Sequence, residues 1–71
     1  MTTTQTYSVS GMTCGHCVDS VTEELQEVDG VRDVAVDLVA GGTSTVTVTS
    51  DQPLADDAVA AAVTEAGYQL T

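Results

Sequence analysis

Seventy-one residues carry eleven carboxylates against one basic residue, Arg32, for a formal net charge of −10. Nothing in such a chain neutralises phosphate, which excludes nucleic acid and anionic membrane surfaces and favours partners bearing a basic patch. With no Phe or Trp and two Tyr, the composition also lacks the bulky lining of a deep substrate cavity.

The length suits one domain spanning 1–71, with a small core over about 5–70. No apolar run is long enough to cross a membrane. The start, Met1 to Thr6, has neither the basic end nor the apolar stretch of a signal peptide. The chain therefore reads as cytoplasmic, although an acid-rich, Lys-free composition also occurs in salt-adapted organisms.

After a frayed, Thr-rich beginning, residues 5–10 alternate with Tyr7 and Val9 on one face, which predicts a strand. Gly11 to His16 reads as a loop. From Cys17 to Val28 the apolar positions Val18, Val21, Leu25 and Val28 are spaced three, four and three, a helix stripe stopped by Gly30. Val31 to Val39 changes to a period of two, with Val34, Val36 and Leu38 on one face. A Gly41–Gly42 hairpin turn leads to a return strand, Thr43 to Thr49, with Val46 and Val48 inward.

Asp51 to Pro53 breaks the pattern. Leu54 to Ala66 reads as a second helix with Ala55, Val59, Ala62, Val63 and Ala66 inward and Asp56 and Asp57 favouring its dipole. Gly67 ends it, and Tyr68 to Leu70 forms a last strand. Two helices with single apolar stripes need one shared sheet, so the fold class is α+β, a two-layer sandwich.

Chemistry concentrates in Cys14-Gly15-His16-Cys17. The pair sits where a helix begins, and the free N–H groups and dipole there favour thiolate, the form that binds metal. Gly15 lets both sulfurs converge on one point. Two cysteines in a reducing compartment suggest metal or redox chemistry sooner than a structural disulfide. Structural zinc takes four ligands and catalytic zinc three plus water, whereas soft sulfurs select Cu(I), which is content with two. The ligand count points to Cu(I) first, with Ag(I) as a mimic; Hg(II) also suits such a pair.

Gly11-Met12-Thr13-Cys14-Gly15-His16-Cys17, between a first strand and a first helix, together with Ala66-Gly67-Tyr68, resembles the heavy-metal-associated domain family and its CopZ-like copper chaperones. The resemblance implies a ferredoxin-like βαββαβ sandwich, an antiparallel four-stranded sheet with both helices on one face. It implies Cys14 and Cys17 as ligands of one Cu(I), Met12 packing under the loop and Tyr68 near the site. Thr13 stands where zinc-selective relatives often place an Asp. It further implies transfer of copper by ligand exchange to the metal-binding domain of a copper-transporting P-type ATPase, from a chain monomeric when metal-free.

His16 reads as a solvated loop residue, with the sharper alternative of a third ligand or an aid to copper-bridged dimers. Arg32 reads as a solvated side chain or the partner of a nearby Asp. Cys-Gly-His-Cys is also the active-site string of thioredoxin-family disulfide isomerases. Met12 and Thr13 before it, the absence of Trp and the short chain count against thiol-disulfide exchange, and hence against an enzyme. A metal-binding domain of a larger heavy-metal transporter, a mercury carrier, and a module that has lost its metal are the remaining alternatives.

Overall fold

The computed structural model describes residues 2–71. They form strand β1 (Thr3–Ser10), helix α1 (Gly15–Gln26), strands β2 (Val31–Asp37) and β3 (Thr43–Ser50), helix α2 (Asp56–Glu65) and strand β4 (Gln69–Leu70). The strands lie in the order β2-β3-β1-β4, every neighbouring pair antiparallel. This is the expected ferredoxin-like α+β sandwich. The interior is built from the inward sides of β1 and β3 (Val9, Val46, Val48) and the stripes of α1 (Cys17, Val21, Leu25) and α2 (Val59, Ala62, Val63), with Met12 from the intervening loop.

The boundaries differ from the sequence reading in instructive ways. β1 starts at Thr3, which pairs with Ser50, so the Thr-rich beginning is strand and not frayed; Met1 lies outside the described residues. Threonine suits an exposed strand face but supplies no apolar alternation to read. α1 starts at Gly15 rather than Cys17 and closes at Gln26 rather than Val28. The Cys14 carbonyl accepts from the Cys17 N–H at 3.1 Å and the Val18 N–H at 3.4 Å. Glycine costs little in this first turn, whose N–H groups lack helical partners in any case.

β2 stops at Asp37, short of Val39. The Val39 N–H donates to Ser44 Oγ at 2.9 Å, which takes it out of the ladder. The hairpin then turns over Val39–Gly42, with Gly42 N–H donating to the Val39 carbonyl at 3.1 Å and Gly41 at φ +76°. A type II turn needs positive φ at that position, so Ala40-Gly41, not Gly41–Gly42, forms its centre. α2 begins at Asp56, later than Leu54, because Gln5 grips Leu54. Its Oε1 accepts from the Leu54 N–H at 2.8 Å and its Nε2 donates to the Leu54 carbonyl at 3.5 Å. Ala55 is left as an extended, exposed N-cap instead of an inner-stripe residue.

Among the described residues, buried side-chain polar groups are accounted for with one exception. Ser44 accepts from Val39, and Ser50 Oγ donates to the Gln52 carbonyl at 2.7 Å. The Tyr7 hydroxyl is buried without a partner. An unpaired buried hydroxyl costs about 1–3 kcal/mol. Tyr7→Phe is therefore expected to hold or raise stability by about 1 kcal/mol in urea unfolding; a loss of that size would mean the hydroxyl is satisfied.

The charge is unevenly spread. Arg32 pairs with Asp51, but both side chains are more than half exposed (63% and 52%), where an ion pair contributes at most about 1 kcal/mol. Glu24 is half-buried, and its carboxyl is raised above its ordinary value by desolvation, then by Glu27, Glu65 and Glu23. A raised carboxyl in the folded state means that protonation favours folding. Glu24→Gln should raise Tm at pH 7 by about 2 °C, added salt should shrink that gain, and it should vanish at acid pH, where the wild-type carboxyl is already neutral. A Tm unchanged at pH 7 would dismiss the repulsion.

Candidate metal centre

The site forms where β1 ends and α1 begins. Gly11 turns the chain out of the sheet at φ +95°, and a Cβ there would sit 3.4 Å from Tyr68 Cδ1. The positive φ favours glycine, whereas a Cβ at that distance would make only an ordinary contact. Met12 then plunges into the core with no exposed surface, anchoring the loop from below. Thr13 and Cys14 follow on the surface, and Cys14, in extended conformation (φ −156°, ψ 176°), is the N-cap of α1. Cys17 lies one turn on.

The two cysteines are not equivalent. Cys14 is exposed, whereas Cys17 is 9% exposed and opens the buried stripe Cys17, Val21, Leu25. The stripe expected from the sequence begins at Val18; in the structure it begins one position earlier, at Cys17. The four-residue spacing from Cys17 to Val21 was the available signal. The Sγ atoms lie 3.8 Å apart, far beyond disulfide bonding distance.

Cys17 also collects the hydrogen-bond donors. Its thiol is lowered from 9.0 to about 6, chiefly by the Thr13 backbone N–H, then by the Tyr68 hydroxyl, the Cys14 backbone N–H and the Thr13 hydroxyl, against an opposing desolvation. The Thr13 Oγ1–Cys17 Sγ separation is 3.8 Å. The interaction is mutual, since Tyr68 is raised above its usual value mainly by its bond to Cys17. Folding thus prepares one thiolate without any basic side chain. The largest influence is a main-chain N–H of the loop rather than a charged side chain.

Of the residues singled out in the sequence, Cys14, Cys17, Thr13 and Tyr68 come together. Met12 supports them from the core. His16 is exposed in the first turn of α1 and does not join the sulfurs; among the described residues no three His, Cys, Asp or Glu side chains converge as a metal site. The part of the site that sequence reasoning missed is the Thr13 and Cys14 main chain, whose direction no residue type announces. A metal–sulfur bond of about 2.3 Å, as for zinc, would give an angle of roughly 110° at the present S–S separation, and a linear ion would need about 4.6 Å. Cys14, exposed and without a side-chain cap bond, is the side free to open.

A ferredoxin-like sandwich with a Cys-x-x-Cys pair at the start of its first helix defines a metal-binding domain, and this chain belongs to the heavy-metal-associated domain family, whose model matches residues 6–69. Among its relatives, the copper chaperone CopZ of Bacillus subtilis is 38% identical over 93% of both chains. A solved CopZ metallochaperone superposes with a TM-score of 0.83 at 31% identity, covering 97% of this chain and all of that one. The Cu(I)-loaded N-terminal domain of a potential copper-translocating P-type ATPase from Bacillus subtilis superposes at 0.81 and 28% identity, over 100% of this chain and 86% of that one.

Proposed function

We propose that this chain is a copper(I) chaperone that carries one Cu(I) between Cys14 and Cys17 and delivers it to the metal-binding domain of a copper-transporting P-type ATPase. The observation that carries this reading is the pairing of two sulfurs 3.8 Å apart, with no third His, Cys, Asp or Glu beside them among the described residues. Two soft ligands suit a cuprous ion and leave zinc short of its usual set. Selectivity rests on this count and softness, not on the present S–S angle. Its copper-chaperone relatives and the likeness to a Cu(I)-loaded ATPase domain support the same reading.

In this reading copper is cargo, and transfer is ligand exchange without redox change. A thiolate of the partner approaches from the open side at Cys14 and bonds to the two-coordinate Cu(I), giving a three-sulfur intermediate. One of the chain's own sulfurs then leaves as thiolate. Cys17 suits that departure, because the loop lowers its thiol to about 6, chiefly through the Thr13 N–H and then the Tyr68 hydroxyl, which favours the free anion. No bond need break before another forms, so tight retention and fast transfer are compatible.

Anaerobic titration of the reduced chain with Cu(I) and, separately, Zn(II) against a competing chelator tests the cargo. One tightly held Cu(I) per chain and much weaker Zn(II) is the expected result; firmer binding of Zn(II) overturns it. Direct delivery requires that copper pass to an ATPase domain without being intercepted by excess chelator.

A further inference from the structure

The sheet has two edges, and they are treated differently. The β2 edge carries Arg32, Asp33 and Asp37 and an irregular register between Val31 and Asp33, features that discourage further strand pairing. The β1 edge is covered by β4 only at Val9 and Ser10, with the Thr71 N–H donating to the Ser8 carbonyl at 2.9 Å. Backbone direction alternates along a strand. Because Ser8 points its carbonyl toward β4, Thr6 and Thr4 point their N–H and C=O the same way. Among the described residues these groups have no backbone partner. Thr4-Gln5-Thr6-Tyr7 contains no charge, no Pro and no bulge.

We infer that this open β1 edge is a strand-addition site for an extended basic segment of a partner protein. Four free backbone groups, the N–H and C=O of Thr4 and of Thr6, supply main-chain pairing, as in other edge-strand recognition. Charge selects the occupant. Side chains of β1 alternate, with Thr4, Thr6 and Ser8 on the open face and Gln5 and Tyr7 turned to the helix layer. An added strand follows the same alternation, so its residues opposite Gln5 and Tyr7 also face that layer. The first turn of α2 lies there: Gln5 holds Leu54, and Asp56 acts electrostatically on Tyr7. Asp56 and Asp57 are both exposed. Lys or Arg at alternate positions of the added strand would meet them, in a chain whose net charge of −10 already draws basic partners. A second copy of this chain would bring like charge to the same place.

The site is independent of the cysteines, so its test uses the metal-free, reduced chain. The probe is a short synthetic peptide of alternating Thr and Lys, with a Thr–Glu peptide as control, followed by NMR shifts and amide exchange of the labelled protein. The Thr–Lys peptide should slow exchange at Thr4 and Thr6 by about tenfold or more, and the Thr–Glu peptide should not. Thr6→Pro removes one outward N–H while leaving the ladder to β3 intact, and it should abolish the peptide's protection of the Thr4 amide while Val46 and Val48 stay protected. Asp56→Asn and Asp57→Asn retain the edge and should each weaken the Thr–Lys peptide about two- to fivefold.

Shifts scattered over the carboxylates without protection at Thr4 and Thr6 would overturn the inference. So would protection of those amides in the free chain, whether it grew with protein concentration, placing a second copy on the edge, or was already complete in dilute solution.

Discussion

Replacing Cys17 with Ser is expected to cost both metal and fold, whereas Cys14→Ser should cost metal alone. Either change removes one of two sulfurs 3.8 Å apart, and Cu(I) affinity should fall by more than about a hundredfold, beyond the loss typical of residues that merely orient a ligand. The difference lies in burial. Cys14 is exposed and caps no N–H with its side chain, so its replacement should leave stability within about 0.5 kcal/mol. Cys17 is 9% exposed and packs in the row with Val21 and Leu25. A hydroxyl there is more polar and smaller, and should cost about 1–2 kcal/mol. Urea unfolding of the metal-free variants measures this, and equal stability in the two would contradict the asymmetry.

The second large effect is the ionisation of Cys17. In the Cys14→Ser variant the thiolate absorbance should rise with a midpoint near pH 6, the value to which the loop lowers it. Tyr68→Phe should raise the midpoint, and Thr13→Ala should raise it less. Neither should restore it to 9.0, because the Thr13 and Cys14 N–H groups remain in both. The sign of the linked stability follows. A folded-state thiol lowered from 9.0 to about 6 contributes stability that is complete above about pH 9, declines as the pH falls from there, and is gone below about 6. Cys17→Ala should remove that slope. A midpoint near the ordinary thiol value would contradict the donor geometry.

How far the sequence disclosed this molecule depended on whether the relevant physics is carried by side-chain type. The period-two valines of β2 and β3 and the three-four spacing of α1 are direct consequences of burial, and they gave the element order and the layers. Element ends were harder to read because they are set by individual side-chain hydrogen bonds to the backbone. Gln5 fixes where α2 can start from 49 residues away, beyond any local window, whereas Ser44 ends β2 from five residues away through a hydroxyl whose partner its residue type does not announce.

The site divides in the same way. Cys14 and Cys17 stand out by chemistry and spacing. The burial of Cys17 was legible in its four-residue spacing from Val21, once the helix is known to begin at Gly15. The asymmetry in ionisation was not legible, because its largest source is a peptide N–H that every residue except Pro possesses. That influence comes through the loop's conformation, pinned below by Met12 and turned at Gly11.

Copper X-ray absorption of the singly loaded, monomeric chain bears most directly on the central proposal that two thiolates alone hold the cargo. Two sulfur neighbours and no nitrogen is the predicted coordination. A nitrogen from His16, or a third or fourth protein ligand in the monomer, would contradict it.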